Sequence, residues 1–327
     1  MNLLNPPASV MYKIIKGLGS PDDPDLIIKK IRQHELGLPA EDEFMLILSW
    51  LGKCQLVHKI DQTQLPPSSS SYKVPDLFAV FNCSGKQIKT LIEVKSTEKS
   101  KLSWTEDYLK SKQRYAELLG VPLLIAWKLR KMGVWVLFDA RLLKKSVKNY
   151  KIDFVSAIKN NLMGTLAGDF YVVFRKGVGL NFKFKKLKKE AAKQTSDGQS
   201  ERWLMRIEDA FFTNGEGQRI KTLGPGLWAL FIASPIEDQL SFNDDYINQS
   251  WIVMQEDNMQ CAYRILSSML EFNHDPEKQI DWQAIIRDYR VPIELEKVRQ
   301  AVTDGFKLKI VRYALNQQPQ VIPDFLQ

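Results

Sequence analysis

Residues 74–96 read VPDLFAVFNCSGKQIKTLIEVKS. VPDLFAVF and IKTLIEVK are rich in β-branched and aromatic residues, and Asn82, Ser84 and Gly85 between them form turns, so the stretch is predicted to be a β-hairpin. With Ser84-Gly85 as a two-residue turn, cross-strand partners have numbers that sum to 169, and Asp76 stands opposite Glu93. Directly opposed strand side chains lie about 5 Å apart, and two negative charges so placed are destabilising unless a positive charge sits between them. A divalent cation supplies that charge. Lys95 shares the face of Glu93 because strand side chains alternate, while Ile88, Thr90, Ile92 and Val94 take the other face and suit a core.

The constellation is Pro75-Asp76, sixteen residues, then Glu93-Val94-Lys95. It resembles the PD-(D/E)XK nuclease superfamily, whose motif is this Pro-Asp on one strand and Glu-x-Lys on the next. The resemblance implies an α/β, restriction-endonuclease-like fold, with a mixed sheet flanked by helices in the order αβββαβ. It also implies Mg2+, with Mn2+ able to substitute, held by Asp76, Glu93 and the Val94 carbonyl, and Lys95 orienting and helping to deprotonate the attacking water. Coordination chemistry agrees, because Mg2+ takes hard oxygen ligands, commonly one or two carboxylates, and keeps several waters. Such an ion lowers the pKa of its water and stabilises charge developing on a phosphate. The blander reading is a turn-opening Pro-Asp and a solvated Glu-Lys pair contributing under about 1 kcal/mol.

Flanking segments extend the resemblance over about residues 40–140. A helix begins near Pro39-Ala40, runs through EDEFMLILSWLGK with Phe44, Ile47, Leu48 and Leu51 at helical spacing, and ends at Gly52; CQLVHKID is the first strand. Superfamily members place a glutamate on this helix facing the metal. That singles out Glu43, with Glu41 and Asp42 as competitors, although the helix macrodipole also favours acids in a first turn. The polar stretch QTQLPPSSSSYK, residues 62–73, is expected to be a mobile loop over the substrate groove. After Lys95, Thr105 caps a helix that ends at Gly120. The superfamily carries a Gln or Lys there pointing back at the site. Gln113 with Tyr115 resembles that element, and Lys110, Lys112 and Arg114 are candidates for phosphate contacts.

VPLLIAWKL and GVWVLFDA are expected to be strands with both faces covered. A helix at FVSAIKNN and strands at DFYVVF and LNFKFKKL are expected to close the domain. Residues 182–193, FKFKKLKKEAAK, hold six lysines, and Lys183 and Lys185 on their charged edge are further candidates for phosphate contact. A helix is also expected at Asp25–Gln33, and another at Met254–Leu270 with Met259 inward. DWQAIIRDYRVPIELEKVRQAV reads as two short helices, a weak helix-turn-helix signal.

At 327 residues and 44% hydrophobic, the chain is long enough for two domains. Three cysteines without a CxxC, and three histidines, argue against a disulfide framework or a zinc site. With no leader-like segment and no run of eighteen apolar residues, the expectation is a soluble, cytoplasmic protein without a membrane partner. Charge divides the chain. Residues 1–194 carry 33 Lys+Arg against 18 Asp+Glu, net +15, and residues 195–327 carry 13 against 20, net −7. The expected domains follow: a basic nuclease domain over 1–194, with QTSDGQSER at the boundary, and an acidic accessory domain over 195–327. A basic half suits a polyanion, since phosphate neutralisation dominates nucleic-acid affinity. The function read from this is a metal-dependent endonuclease, with DNA preferred over RNA, as a subunit of a mobile-element, restriction or defence system. The alternative is a catalytically inactive nuclease fold that binds nucleic acid or a partner subunit. Protein contacts through residues 195–327, or a homo-oligomer, stay open.

Overall fold

The computed structural model describes residues 40–65, 68–195, 198–234, 236–254, 259–272, 280, 282–288 and 290–327. The helix expected at Asp25–Gln33 lies outside them. Among the described residues no helix is long and apolar enough to cross a membrane.

Helix α1 (40–51) opens the fold and buries Phe44, Ile47, Leu48 and Leu51. It stops at Gly52, whose φ of +84° suits a residue without a Cβ. Strands β1 (Cys54–Lys59), β2 (Leu77–Cys83) and β3 (Lys86–Thr97) follow, then β4 (Lys101–Thr105), α2 (Glu106–Leu118), β5 (Leu123–Leu129) and β6 (Val134–Asp139). The main sheet has the order β1-β2-β3-β5-β6, with β3 and β5 parallel and the other neighbours antiparallel. This is the mixed sheet flanked by helices that the motif implied.

The β2–β3 hairpin has the anticipated register. Leu77 pairs with Ile92 and Cys83 with Lys86, so every pair sums to 169. Ser84 and Gly85 turn with φ of +52° and +86°, the two positive values of a turn whose twist matches its strands. Asn82 Oδ1 accepts from Gly85 N at 3.0 Å and fixes the turn. The two sheet faces bury different elements. Ile92, Val94, Leu124, Ala126 and Trp135 pack with α1, whereas Leu91, Ile125, Trp127 and Phe138 pack with α2 through Leu109 and Ala116. Both faces of β5 and β6 are covered, as their continuous apolar sequences required.

A second, three-stranded sheet joins β4 to β8 (Asn149–Asp153) and β7 (Lys144–Ser146), and α3 (Phe154–Lys159) follows. Beyond it the fold departs from the sequence reading. Strand β9 (Tyr171–Phe174) does not close the nuclease sheet. It is the centre of a separate sheet with β15 (Met259–Cys261) and β16 (Val311–Leu315). Strands β10 (Gly179–Thr195) and β11 (Gly198–Thr213) form one long hairpin, in a sheet of order β12-β11-β10-β14-β13 with β12 (Arg219–Ile220), β13 (Glu237–Phe242) and β14 (Tyr246–Ile252). Residue 194 is therefore no boundary: the stretch there joins two paired strands, Thr195 opposite Gly198.

Among the described residues of the second half lie four helices, α4 (Pro225–Ala233), α5 (Ala262–Phe272), α6 (Trp282–Asp288) and α7 (Leu295–Lys307). The two helices read in residues 281–302 are present. The helix expected from Met254 starts instead at Ala262, and Met259 lies in β15 and is exposed. One buried cluster runs from α1 through β9 into α4, α5 and α7. Trp50 Nε1 donates to Ile293 O at 2.7 Å, and Trp135 N donates to the Tyr263 hydroxyl at 2.8 Å. The basic and acidic halves thus share a core.

Candidate active site

Asp76 directly precedes β2, and Glu93 and Lys95 lie on β3 with side chains toward α2. Asp76 Oδ2 accepts from Val94 N at 2.7 Å, which ties the end of β2 to β3, and Oδ1 accepts from Gln62 Nε2 at 2.8 Å. Glu93 is fully buried. Its Oε1 accepts from Lys95 Nζ at 2.5 Å and from the Tyr108 hydroxyl, and Lys112 forms an ion pair with Oε2. Lys112 also donates to Val74 O at 3.0 Å, so its three-donor ammonium ties the Glu93 Oε2 it pairs with to the strand before β2.

The helix phase explains the Glu93 partners. Thr105 caps α2 by accepting from Tyr108 N, and residues i and i+4 share a helix face, so Tyr108 and Lys112 both reach Glu93. Lys95, Lys73 and Lys112 surround the Tyr108 ring at 5.6, 4.9 and 5.2 Å, and the Trp104 ring meets Tyr108 edge-on at 5.2 Å.

Electrostatics separates the two acids. Burial and the Glu93 charge push the Asp76 carboxyl up to about 6, against the pull of Lys95, Lys112 and the Val94 N–H. Burial would raise Glu93 as well, but the charges of Lys95 and Lys112 outweigh it and hold Glu93 below the usual carboxylate range. Burial opposes the charge on Lys95, yet contact with Glu93 and the proximity of Tyr108 and Asp76 raise it above the ordinary lysine range. In this state Lys95 is a fixed ammonium, suited to orienting a water and balancing charge rather than accepting a proton.

The donor set fits a hard divalent ion. Asp76 and Glu93 are two carboxylates, a number Mg2+ commonly takes; among the described residues no group of three or more His, Cys, Asp or Glu gathers. Burial and the Glu93 charge leave the Asp76 carboxylate under-compensated, and a bound cation would relieve it. The N–H and C=O of one strand residue point the same way, so the Val94 carbonyl faces the Asp76 side along with its N–H.

Other sequence candidates lie elsewhere. Glu43 sits under the opposite sheet face, where Oε1 accepts from Trp135 Nε1 at 2.9 Å and Oε2 from Lys128 Nζ at 2.5 Å. Its competitors Asp42 and Glu41 pair with Lys59 at 2.9 and 3.2 Å. Gln113 points away from Glu93 and lines a cavity of about 290 Å3 with Glu117, Pro122, Asp139 and Arg141. Lys112 takes the helix position expected of Gln113. Lys110 pairs with Glu106 at 2.5 Å, and Arg114 donates twice to Ser71 O, at 3.0 and 2.8 Å. Lys183 pairs with Glu208 at 3.1 Å on the β10–β11 sheet, and Lys185 faces Arg206 there. The loop expected over the groove is tied down at its described ends, by Gln62 on Asp76 and by Lys73 N on Ser111 O at 3.3 Å.

Two groups escaped the sequence reading. Tyr108 and Trp104 belong to no motif in the sequence, and only the fold brings them to Glu93 and Lys95. The lysine-rich stretch 144–151 forms the β7–β8 hairpin, in which exposed Lys144 and Lys151 oppose each other, with Ser103 of β4 beyond Lys151. Lys145, next to Lys144, reaches Glu106 at the start of α2. The adjacent row of the same sheet, Trp104 opposite Tyr150, faces the other way, and Trp104 meets the Lys95 ammonium there at 5.9 Å; the KKSVKNYK spacing was the available signal.

Comparison with known proteins points to the same stretch. A family model described as archaeal Holliday junction resolvase (Hjc) matches residues 63–166, which contain both half-motifs. The PD-(D/E)XK resemblance stands on this match, because that resolvase family belongs to the superfamily. Among solved structures, the Hjc Holliday junction resolvase of Archaeoglobus fulgidus, an archaeal hyperthermophile, is 21% identical, over 37% of this chain and 92% of its own, with a TM-score of 0.31. No curated protein matches the chain.

Proposed function

We propose that this chain is a metal-dependent endonuclease that hydrolyses phosphodiester bonds of branched duplex DNA, with Mg2+ as its ion and Mn2+ able to replace it. The observation that supports the reading is the hairpin register, Leu77 opposite Ile92, whose continuation by one residue brings Asp76 beside Glu93 within the stretch that matches the resolvase family. Branched DNA comes from the name of that family, and a nuclease that keeps its fold only for binding would gain nothing from two crowded carboxylates.

Asp76, Glu93 and the Val94 carbonyl would hold the ion. When bound, it supplies a water of lowered pKa and stabilises charge on the phosphate. Tyr108 and Lys112 hold the Glu93 carboxylate in place. Lys95, kept protonated, orients the attacking water and offsets the negative charge that grows in line with the leaving oxygen. The Lys144–Lys151 face takes flanking phosphates. Protein contacts, with a partner in a mobile-element, restriction or defence assembly or with a second copy, are assigned to the acidic second half; light scattering tests the second copy.

The decisive experiment incubates the protein with a four-way junction, linear duplex, single-stranded DNA and RNA, each with Mg2+, Mn2+ or EDTA. Junction cleavage should require the metal and vanish in Asp76→Ala and Glu93→Ala. Cleavage at the wild-type rate by either variant, or in EDTA, would reject the mechanism.

A further inference from the structure

The β10–β11 hairpin outruns its sheet. Strand β14 pairs with β10 only over Gly179–Lys185, so beyond Lys185 and Arg206 the two strands continue as a ribbon to Thr195 and Gly198, with no third strand among the described residues. The ten residues from Lys186 to Thr195 extend about 34 Å at about 3.4 Å each. An isolated two-stranded ribbon is marginal in water, so this one needs a surface to lie on.

Its charges indicate which surface. Lys185 stands directly opposite Arg206, and Lys188, opposite Leu204, follows on the same face. Nearby cations are neutralised, Lys183 by Glu208 and Arg202 by Glu190, both at 3.1 Å. No salt bridge among the described residues takes Lys185, Lys188 or Arg206; Glu208 lies near enough to act on Lys185 but is paired with Lys183. Opposed like charges are destabilising without a counter-charge between them. The requirement that calls for a cation between Asp76 and Glu93 calls for an anion here.

We infer that this hairpin is a duplex-gripping arm, separate from the catalytic cluster, whose Lys185–Lys188–Arg206 face, at the root of the ribbon, lies on DNA phosphates. Its dimensions suit that role. The major groove of B-form DNA, about 12 Å wide, admits a two-stranded ribbon. A length of about 34 Å spans about ten base pairs at 3.4 Å each. A-form RNA, with its deep, narrow major groove, gives such a ribbon no seat. The arm lies outside residues 63–166, so the matched resolvase family does not supply it. The inference rests on the reading of the chain as DNA-acting, but not on its chemistry.

The test is binding of the full chain, in EDTA, to a labelled four-way junction, a linear DNA duplex and an RNA duplex of the same sequence, over about 50 to 200 mM salt. Lys185→Ala/Lys188→Ala/Arg206→Ala should weaken DNA binding about tenfold or more and lower the salt slope by about 2 to 3, since each neutralised phosphate contributes about 0.9. Lys185→Arg/Lys188→Arg/Arg206→Lys should bind like wild type and melt with it, and the alanine variant should melt no lower than wild type. An unchanged slope and affinity, an equal loss in the charge-conserving variant, or wild-type binding to RNA duplex as tight as to DNA would overturn the arm. Failure of wild type to cleave, with the binding difference intact, would reject the nuclease reading and leave the arm standing.

Discussion

Asp76→Asn separates what this acid costs the fold from what it does in chemistry. Without metal, Asp76 is 8% exposed, and burial with the Glu93 charge moves its carboxyl from an ordinary 3.8 up to about 6. A carboxyl with a native-state pKa above its unfolded value holds its proton more tightly when folded. Stability therefore falls as pH rises from about 4 to about 6 and stays low above that. The gap between 3.8 and about 6 corresponds to about 3 kcal/mol. Asparagine removes the charge and keeps an oxygen for the Val94 N–H, now at 2.7 Å. In EDTA the variant should be more stable than wild type above pH 7 by up to about 3 kcal/mol, or about 5 °C in melting temperature, and equal to it below about pH 4. Thermal unfolding across that pH range measures the difference. Mg2+ should then raise the melting temperature of wild type alone, because only the native acid pair binds the ion. Parallel pH profiles, or an Asn variant less stable than wild type at pH 8, would refute the claim that an uncompensated acid pair sits at the end of this hairpin.

Glu93→Gln should behave oppositely. Glu93 is held ionised by Lys95 and Lys112, so its contribution is present at neutral pH and fades as pH falls below the carboxylate range. Gln leaves two ammonium groups without their counter-charge, a cost of about 3–5 kcal/mol, and a higher melting temperature at pH 7 would contradict the assignment. Tyr108→Phe frees Oε1 of one donor and should lower kcat about tenfold, about 1.4 kcal/mol, with KM unchanged; a kcat equal to wild type would remove Tyr108 from the positioning of Glu93. Tyr263→Phe leaves the buried Trp135 N–H without its acceptor and should cost about 1–3 kcal/mol in a single cooperative melt. Two transitions, only one of them shifted, would show that the two halves do not share a core.

What was legible in the sequence was local. The Ser84-Gly85 turn and the period-two alternation of β3 are properties of adjacent residues, so the register from Leu77–Ile92 to Cys83–Lys86 and the burial of Ile92 and Val94 followed without knowledge of the rest of the chain. The caps of α1 and α2, and the doubly covered β5 and β6, were readable for the same reason. Tertiary structure decided whatever depended on a partner distant in sequence. Acids in the first turn of α1 look alike, and only packing under the far sheet face gave Glu43 to Trp135 and Lys128. On α2, Lys112 and Gln113 are neighbours about 100° apart around the helix, and docking against β3 turned Lys112 to Glu93 and Gln113 to a cavity. A polar stretch such as residues 194–202 reads the same as a linker or as the end of a hairpin, because solvation is common to both and pairing is not written locally. Strand β9 drew its neighbours from residues 259–261 and 311–315, since an apolar strand is satisfied by any edge that completes its hydrogen bonds, and the edge available was set by the fold of the second half.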